Sequence, residues 1–96
     1  MAVYVDPLFA TAPKPTWPYK EASHMTADTV QELHALAKRL HLKRLWFQNH
    51  HTNRAYWHYD LTRGKYYQAI RLGAIPLSRE ASAERLRAAS IELRNK

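Results

Sequence analysis

Aromatic rings, histidines and cations are concentrated in residues 44–71. This stretch holds seven of the eleven aromatic side chains and three of the six histidines. An imidazole can gain or lose a proton near neutral pH, whereas rings and cations are the groups that bind bases and phosphates. We therefore expect the chemistry of this protein to lie in or beside this stretch.

A polar loop inside the stretch is predicted to bind phosphate. Thr62 suits the N-cap of a helix, because its hydroxyl can accept a hydrogen bond from a backbone N–H. The remaining N–H groups, with Arg63 and Lys65 beside them, would attract an anion, and Trp57 and Tyr59 would stack on a base. The loop lacks the GxxxxGK[ST] frame of a P-loop, so a capped helix with solvated cations stays open as the alternative.

Two histidines are candidate catalytic residues. His24 and His58 could act as acid and base across a phosphodiester, with Asp60 or Asp28 orienting an imidazole. The triplet that begins at His24, His-Met-Thr, is similar to the H-x-T element of two-histidine phosphodiesterases, but His58 does not begin the matching second element, because Tyr59 and Asp60 follow it. Hydrolysis of a phosphodiester is therefore the alternative to simple binding.

Imidazoles and carboxylates also supply the mixed nitrogen and oxygen ligands that zinc, manganese or iron accept. The candidates are Asp6, His24, Asp28, His58 and Asp60. These residues do not show HExxH-type spacing, and hydrogen bonds and helix caps explain them more simply. The sequence therefore predicts no metal site and no cofactor.

The composition indicates one folded domain with an anionic partner. A chain of 96 residues, 46% of them hydrophobic, can bury a single modest core. Cysteine is absent, which excludes disulfides and thiolate metal sites. The net charge of +7 favours polyanions such as nucleotides or nucleic acid. With no signal peptide and no apolar stretch of membrane-spanning length, we expect a cytoplasmic protein without a membrane partner.

The first half of the chain is predicted to contain two or three strands and one helix. Residues 2–6 are typical of a strand, and residues 7–21, with four of the five prolines, of a surface loop. Residues 22–27 are either a strand or an extended lead into the next helix. Residues 30–40 have helical periodicity behind a Thr-x-x-Glu capping box, and residues 42–48 suit a buried strand.

The second half is predicted to contain two helices and an edge strand. A helix is expected over residues 63–72, ended by Gly73. Residues 74–77 suit a strand at a sheet edge, because Pro76 cannot donate to a ladder. Residues 78–96 are predicted to form a terminal helix. We therefore predict a single α/β domain with about three helices and a small, mainly parallel sheet of three or four strands.

A parallel sheet would gather the candidate residues at one edge. Asp6, His24 and Gln48 would each lie near the carboxyl end of a strand, close to the loop that precedes the second long helix. Open α/β sheets bind their ligands at that edge. The sequence therefore predicts one shared crevice, and this prediction depends on the parallel arrangement.

Several short motifs give the chain a resemblance to a family catalogued as domain of unknown function 4031. The shared pieces, which cover residues 2 to about 77, are Val3-Tyr4-Val5-Asp6, His24, Ala27-Asp28-Thr29, Glu32-Leu33-His34, Trp46-Phe47-Gln48, His58-Tyr59-Asp60-Leu61-Thr62, Lys65 and Gly73-Ala74. The terminal helix lies outside them. The resemblance implies a bacterial or phage setting, and it supplies no activity.

The sequence as a whole favours a binding protein. The expected task is to bind a phosphate-containing ligand, nucleotide or nucleic acid at the carboxyl edge of the sheet, in the host cytoplasm and in counter-defence if a phage encodes the chain. The alternatives are a phosphodiesterase or metal-assisted hydrolase that uses His24 and His58, and an interaction protein that blocks a host factor. Self-association and a host protein partner stay open.

Overall fold

The computed structural model describes the backbone of residues 2–94 and the side chains of residues 2–88. Its five strands are β1 (Val3–Val5), β2 (Phe9–Ala10), β3 (Glu21–Ala27), β4 (Tyr59–Leu61) and β5 (Ile75–Pro76). Its helices are α1 (Val30–Arg39), α2 (Arg63–Arg71) and α3 (Arg79–Arg94), with single 3₁₀ turns at Arg44–Trp46 and Arg54–Tyr56. The predicted α/β class and the three helices are confirmed. The last two residues of the predicted terminal helix lie outside the described residues.

The sheet is mixed, with β3 at its centre. Strand β3 pairs antiparallel with β1, β2 and β4, and the only parallel pair among the described residues joins β1 to β5. The prediction of a mainly parallel sheet of three or four strands is therefore wrong. Strand β5 pairs with β1 alone, which confirms the expected edge position of residues 74–77.

The error arose at residues 42–48, where a strand was predicted and a 3₁₀ turn is found. Helix α1 ends with His41 in the left-handed region at φ 60. The N–H of Leu42 then donates to the carbonyl of Ala37, a capping arrangement that turns the chain away from the helix axis. Leu45 is 81% exposed, so the apolar run is divided between core and surface instead of entering the sheet.

The other helix boundaries follow the sequence closely. Thr29 caps α1 by accepting a hydrogen bond from the N–H of Glu32, and its hydroxyl donates to the Glu32 carboxylate at 2.7 Å. The pair is the one predicted as a capping box, but the Glu32 carboxylate accepts from the Thr29 hydroxyl rather than from the backbone N–H of that residue. Gly73, at φ 108, follows the last turn of α2 as predicted, because only glycine adopts that backbone conformation without strain.

The two faces of the sheet have different uses. Side chains alternate along a strand, so Met25, Tyr59 and Leu61 point to one face and His24 and Asp60 to the other. The first face packs beneath α1 and α2 and forms the core, whose other buried members are Val5, Leu33, Leu36, Ala37, Leu40, Ala69 and Ala74. The second face therefore remains to carry polar groups.

Helix α3 docks beside this polar face through an arginine. The Arg85 guanidinium donates to the hydroxyl of Thr26 at 3.0 Å and lies 4.2 Å from the centre of the Tyr4 ring. One of its nitrogens is also 3.8 Å from the carboxylate of Asp28. None of the three helices, over residues 2–94, has the length and apolar character that a bilayer span requires.

His34 is a titratable group at the margin of the core. Its Nδ1 lies 2.8 Å from the Tyr59 hydroxyl, and Phe47 packs edge-on against its ring. Burial, followed by the nearby charge of Arg44, lowers the pKa of His34 below its ordinary value of 6.5. The folded protein therefore favours the neutral imidazole.

We expect stability to decrease in mild acid because of His34. The unfolded chain binds a proton at this residue at a higher pH than the folded chain, so the contribution of His34 is lost as the pH falls from 6.5 through the folded-state pKa. Urea unfolding from pH 7.5 to 5 should show a steeper loss for the wild type than for His34→Gln, by at most about 1.4 kcal/mol per pH unit. Equal slopes would contradict this assignment.

Candidate functional site

A cross-strand pair forms the centre of the candidate site. His24 on β3 lies directly opposite Asp60 on β4, on the face of the sheet away from the core. His58, just before β4, forms an antiparallel bridge with Gln48. The Gln48 side-chain amide donates a short hydrogen bond to Oδ2 of Asp60. These four residues come from three separate segments.

Asp6 follows β1 and continues the pairing of β1 with β3. Val5 pairs with Met25, and the backbone N–H of Asp6 then donates to the carbonyl of His24 at 3.1 Å. Residues that face each other across an antiparallel ladder lie on the same face of the sheet, so Asp6 and His24 share the polar face. Oδ1 of Asp6 also accepts from the backbone N–H of His24 at 2.6 Å.

The contact with Asp6 determines the proton position on His24. Oδ2 of Asp6 lies 2.8 Å from Nδ1 of His24. A carboxylate can only accept a hydrogen bond, so Nδ1 carries the hydrogen. In the neutral imidazole, Nε2 then holds a lone pair. This atom is 3.7 Å from Oδ1 of Asp60.

A backbone carbonyl determines the proton position on His58 in the same way. Nδ1 of His58 lies 2.7 Å from the carbonyl oxygen of Tyr56, which can only accept. Nε2 is therefore the free nitrogen of the neutral ring, and it is 3.4 Å from the same Oδ1 of Asp60. The two imidazole rings are 4.7 Å apart and nearly perpendicular.

A positive charge is needed to stabilise the close approach of the two Nε2 atoms to Oδ1 of Asp60. Two neutral imidazoles would direct lone pairs at a carboxylate oxygen, and that arrangement is repulsive unless a proton or a cation lies between them. Burial lowers the pKa of His58, but hydrogen bonds to Asp60 and to the Tyr56 carbonyl outweigh it, and the net change is upward. Burial raises the pKa of Asp60, and hydrogen bonding to His58 outweighs it, so the net change is downward.

The same three residues fit the donor set of a metal ion. One atom each of His24, His58 and Asp60 lies within 4.8 Å of the others. Tetrahedral ligands about 2.1 Å from zinc are about 3.4 Å from one another. The measured separations of 3.4 and 3.7 Å from Oδ1 of Asp60 to the two imidazole nitrogens are close to that value.

A cleft of about 380 Å³ opens beside the histidines. Its lining combines imidazoles, tyrosines, an arginine and a few apolar side chains: Tyr4, Asp6, His24, Thr26, Gln48, His50, His51, Tyr56, His58, Leu77, Ser82, Arg85 and Leu86. The side chain of His24 is 40% exposed, so a molecule in the cleft can reach it.

The predicted phosphate loop is separate from this cleft. Lys65 donates from Nζ to the carbonyl of Leu40 at 2.7 Å and so caps the end of α1. Arg63 lies 3.3 Å from the carboxylate of Glu21, and Thr62 caps α2 by accepting from the backbone N–H of residue 65. Thr62 and Arg63 line a different depression on the surface. The loop is the predicted capped start of a helix, both of its cations have partners in the protein, and phosphate binding there stays a prediction.

The two rings predicted to stack on a base are also outside the cleft. Tyr59 is 1% exposed and packs in the core, so its ring has no free face. Trp57 donates from its indole nitrogen to the carbonyl of His51 at 2.7 Å and packs edge-on against Phe47. Of the predicted site residues, the structure therefore brings together Asp6, His24, Gln48, His58 and Asp60.

Sequence reasoning missed several residues that line the cleft. Arg85 lies 59 positions after the threonine that it contacts, and no local pattern connects the two. Tyr56 contributes a backbone carbonyl, which any residue type could supply. The adjacent pair His50 and His51 was the one available signal, because two imidazoles in a polar loop are candidate binding groups, although His51 also accepts from the backbone N–H of Asn53.

One comparison with known proteins identifies the family, and none of them supplies an activity. No curated protein and no solved structure matches the chain. A family described as "Protein of unknown function (DUF4031)" matches residues 3–89. This match confirms the resemblance and extends it beyond residue 77 into α3, so Arg85 lies inside the matched region. The chain belongs to the DUF4031 family.

Proposed function

We propose that the protein binds a divalent transition-metal ion through His24, His58 and Asp60 and hydrolyses a phosphate ester in the adjoining cleft. The observation that carries this proposal is the convergence of two imidazole nitrogens, with their proton positions already determined, on one carboxylate oxygen. Two histidines and one carboxylate with open positions form a common metal-binding arrangement.

Partners behind each ligand support a metal site over a chance cluster. Asp6 accepts from His24, the carbonyl of Tyr56 accepts from His58, and Gln48 donates to Asp60. Metal-binding histidines nearly always donate their second ring N–H to a carboxylate or a carbonyl, because this orients the ring and increases its basicity. Both candidate histidines donate in this way, and the candidate carboxylate accepts from Gln48.

The surroundings favour a phosphorylated substrate. A bound divalent ion supplies an activated water and polarises a phosphoryl oxygen. The Arg85 guanidinium adds positive charge to the cleft, the exposed histidines supply hydrogen-bonding groups, and the net charge of +7 attracts anions from a distance. Tyr4 and Tyr56 give the cleft aromatic walls for the non-phosphate part of the substrate.

A metal-free reaction is the second candidate. The raised pKa of His58 and the 4.7 Å separation of the two rings also suit an acid and base pair acting on a phosphodiester. Both candidates use the same two histidines, so variants of those residues do not separate them. Chelation does, because an acid and base pair keeps its activity in EDTA.

We expect metal binding to depend on the three ligands and on Asp6. Isothermal titration with Zn²⁺ and Mn²⁺ should give one site in the wild type. Asp60→Asn should weaken binding by more than about 100-fold, and Asp6→Asn by about 10- to 100-fold, the usual effect of losing a partner behind a ligand. Arg63→Gln, which removes a charge outside the cleft, is the matched control. Equal affinity in Asp60→Asn and wild type would overturn the assignment of the site.

We expect metal-dependent turnover of bis(p-nitrophenyl) phosphate. Release of p-nitrophenol should stop in EDTA, return with added metal, and be lost in His58→Ala that keeps the thermal melting profile of the wild type. Turnover that survives EDTA would favour the acid and base pair. Tight binding of an intact phosphate compound, with no turnover under either condition, would reduce the function to ligand binding.

A further inference from the structure

Residues 33–59 contain five Lys or Arg, five His and no Asp or Glu. This stretch therefore supplies a charge of +5 out of the net +7 of the chain. It runs from within α1 through both 3₁₀ turns to the start of β4. One continuous segment of the chain is thus much more basic than the rest.

Within this stretch, cations lie over aromatic rings. Nζ of Lys43 is 5.5 Å from the centre of the Trp46 ring, and the guanidinium of Arg54 is 5.7 Å from that of Trp57. Phe47 follows the first pair in sequence and packs edge-on against Trp57 of the second pair. Neither cation forms an ion pair with a carboxylate among the described side chains.

The first pair is presented to solvent. Trp46 is 49% exposed and Leu45 is 81% exposed, although a tryptophan needed only for packing would be covered. The basic 3₁₀ turn places Lys43 and Arg44 beside them. A surface with a ring for stacking and cations for phosphates suits an unpaired nucleotide chain.

The same stretch forms one wall of the cleft. Gln48, His50, His51, Tyr56 and His58 all line it. A polyanion held along Lys43 and Trp46 would therefore be guided by a continuous segment towards the proposed metal ligands.

We propose that residues 43–57 bind single-stranded nucleic acid and that its phosphodiester backbone is the substrate class of the site. The catalytic half of this inference rests on the proposed function, whereas the binding half does not. A mononucleotide would leave the Lys43–Trp46 surface without a role, and a duplex would hide the bases that stack on a ring. An anionic membrane would need a larger apolar face than Leu45 and Trp46 provide.

The test measures binding separately from turnover. Fluorescence anisotropy of a labelled 12-nucleotide oligo(U) or oligo(dT), in EDTA and over a series of salt concentrations, reports binding alone. Trp46→Ala should weaken binding about tenfold through lost stacking. Lys43→Gln should weaken it for every sequence and reduce the slope of log affinity against log salt by about one.

Matched controls remove the same groups elsewhere. Tyr67→Ala removes an exposed ring on α2, and Arg71→Gln an exposed cation, so both should bind as the wild type does. The melting temperature of Trp46→Ala verifies its fold. Turnover of bis(p-nitrophenyl) phosphate should be unchanged in Tyr67→Ala and Arg71→Gln, because neither residue lines the cleft.

Three results would overturn the inference. The first is unchanged oligonucleotide binding in both Trp46→Ala and Lys43→Gln. The second is equal competition by polyglutamate, which would show attraction to any polyanion. The third is preferential binding to phosphatidylserine vesicles, which would assign the surface to a membrane. Oligonucleotide binding in a protein without metal binding or turnover would sustain the interface and reject only the proposed function.

Discussion

The register between β3 and β4 is the constraint on which the site depends. It places His24 opposite Asp60 on one face and Met25 beside Tyr59 on the other. Side chains alternate with a period of two, so a slip of one residue would move the imidazole into the core and the methionine into the cleft. A slip of β3 would thus expose Met25 to water, and a slip of β4 would expose Tyr59 and Leu61, so these buried side chains hold the register.

This arrangement connects the core to the electrostatics of the site. The backbone of β3 is held on one edge by β4 and on the other by β1, and Asp6, the residue after β1, places its carboxylate against His24. The ring orientations of His24 and His58 are thus determined by groups on the scaffold rather than by each other. Preorganisation of this kind is what allows ligand atoms with unfavourable mutual contacts to remain close together until a cation or a proton neutralises them.

The local features of the fold could be predicted, and its pairing could not. Thr29 with Glu32, Gly73 and Pro76 each act within a few residues, so their roles as caps, terminator and edge marker follow from the sequence. The run at residues 42–48 was read as a strand because it is apolar, but the left-handed His41 turns the chain and leaves Leu45 in solvent. That error led to the prediction of a parallel sheet, because it placed a predicted strand directly after a helix.

The sequence predicted that five candidate residues lie together, but the strand arrangement from which this was predicted was wrong. Asp6, His24, Gln48, His58 and Asp60 do lie together, but antiparallel pairing and a bridge gather them, not the carboxyl ends of parallel strands. Lys65 was assigned to phosphate because of its position after a helix cap. Its amine instead reaches the end of α1, a contact between residues 25 positions apart that local spacing cannot reveal.

Anomalous diffraction from crystals soaked in Mn²⁺ or Zn²⁺ tests the central claim most directly. We expect one strong peak, about 2.1 Å from Nε2 of His24, Nε2 of His58 and a carboxylate oxygen of Asp60. Asp6 should remain hydrogen-bonded to Nδ1 of His24. A map without a peak at these atoms, or with metal bound only at His50 and His51, would contradict it.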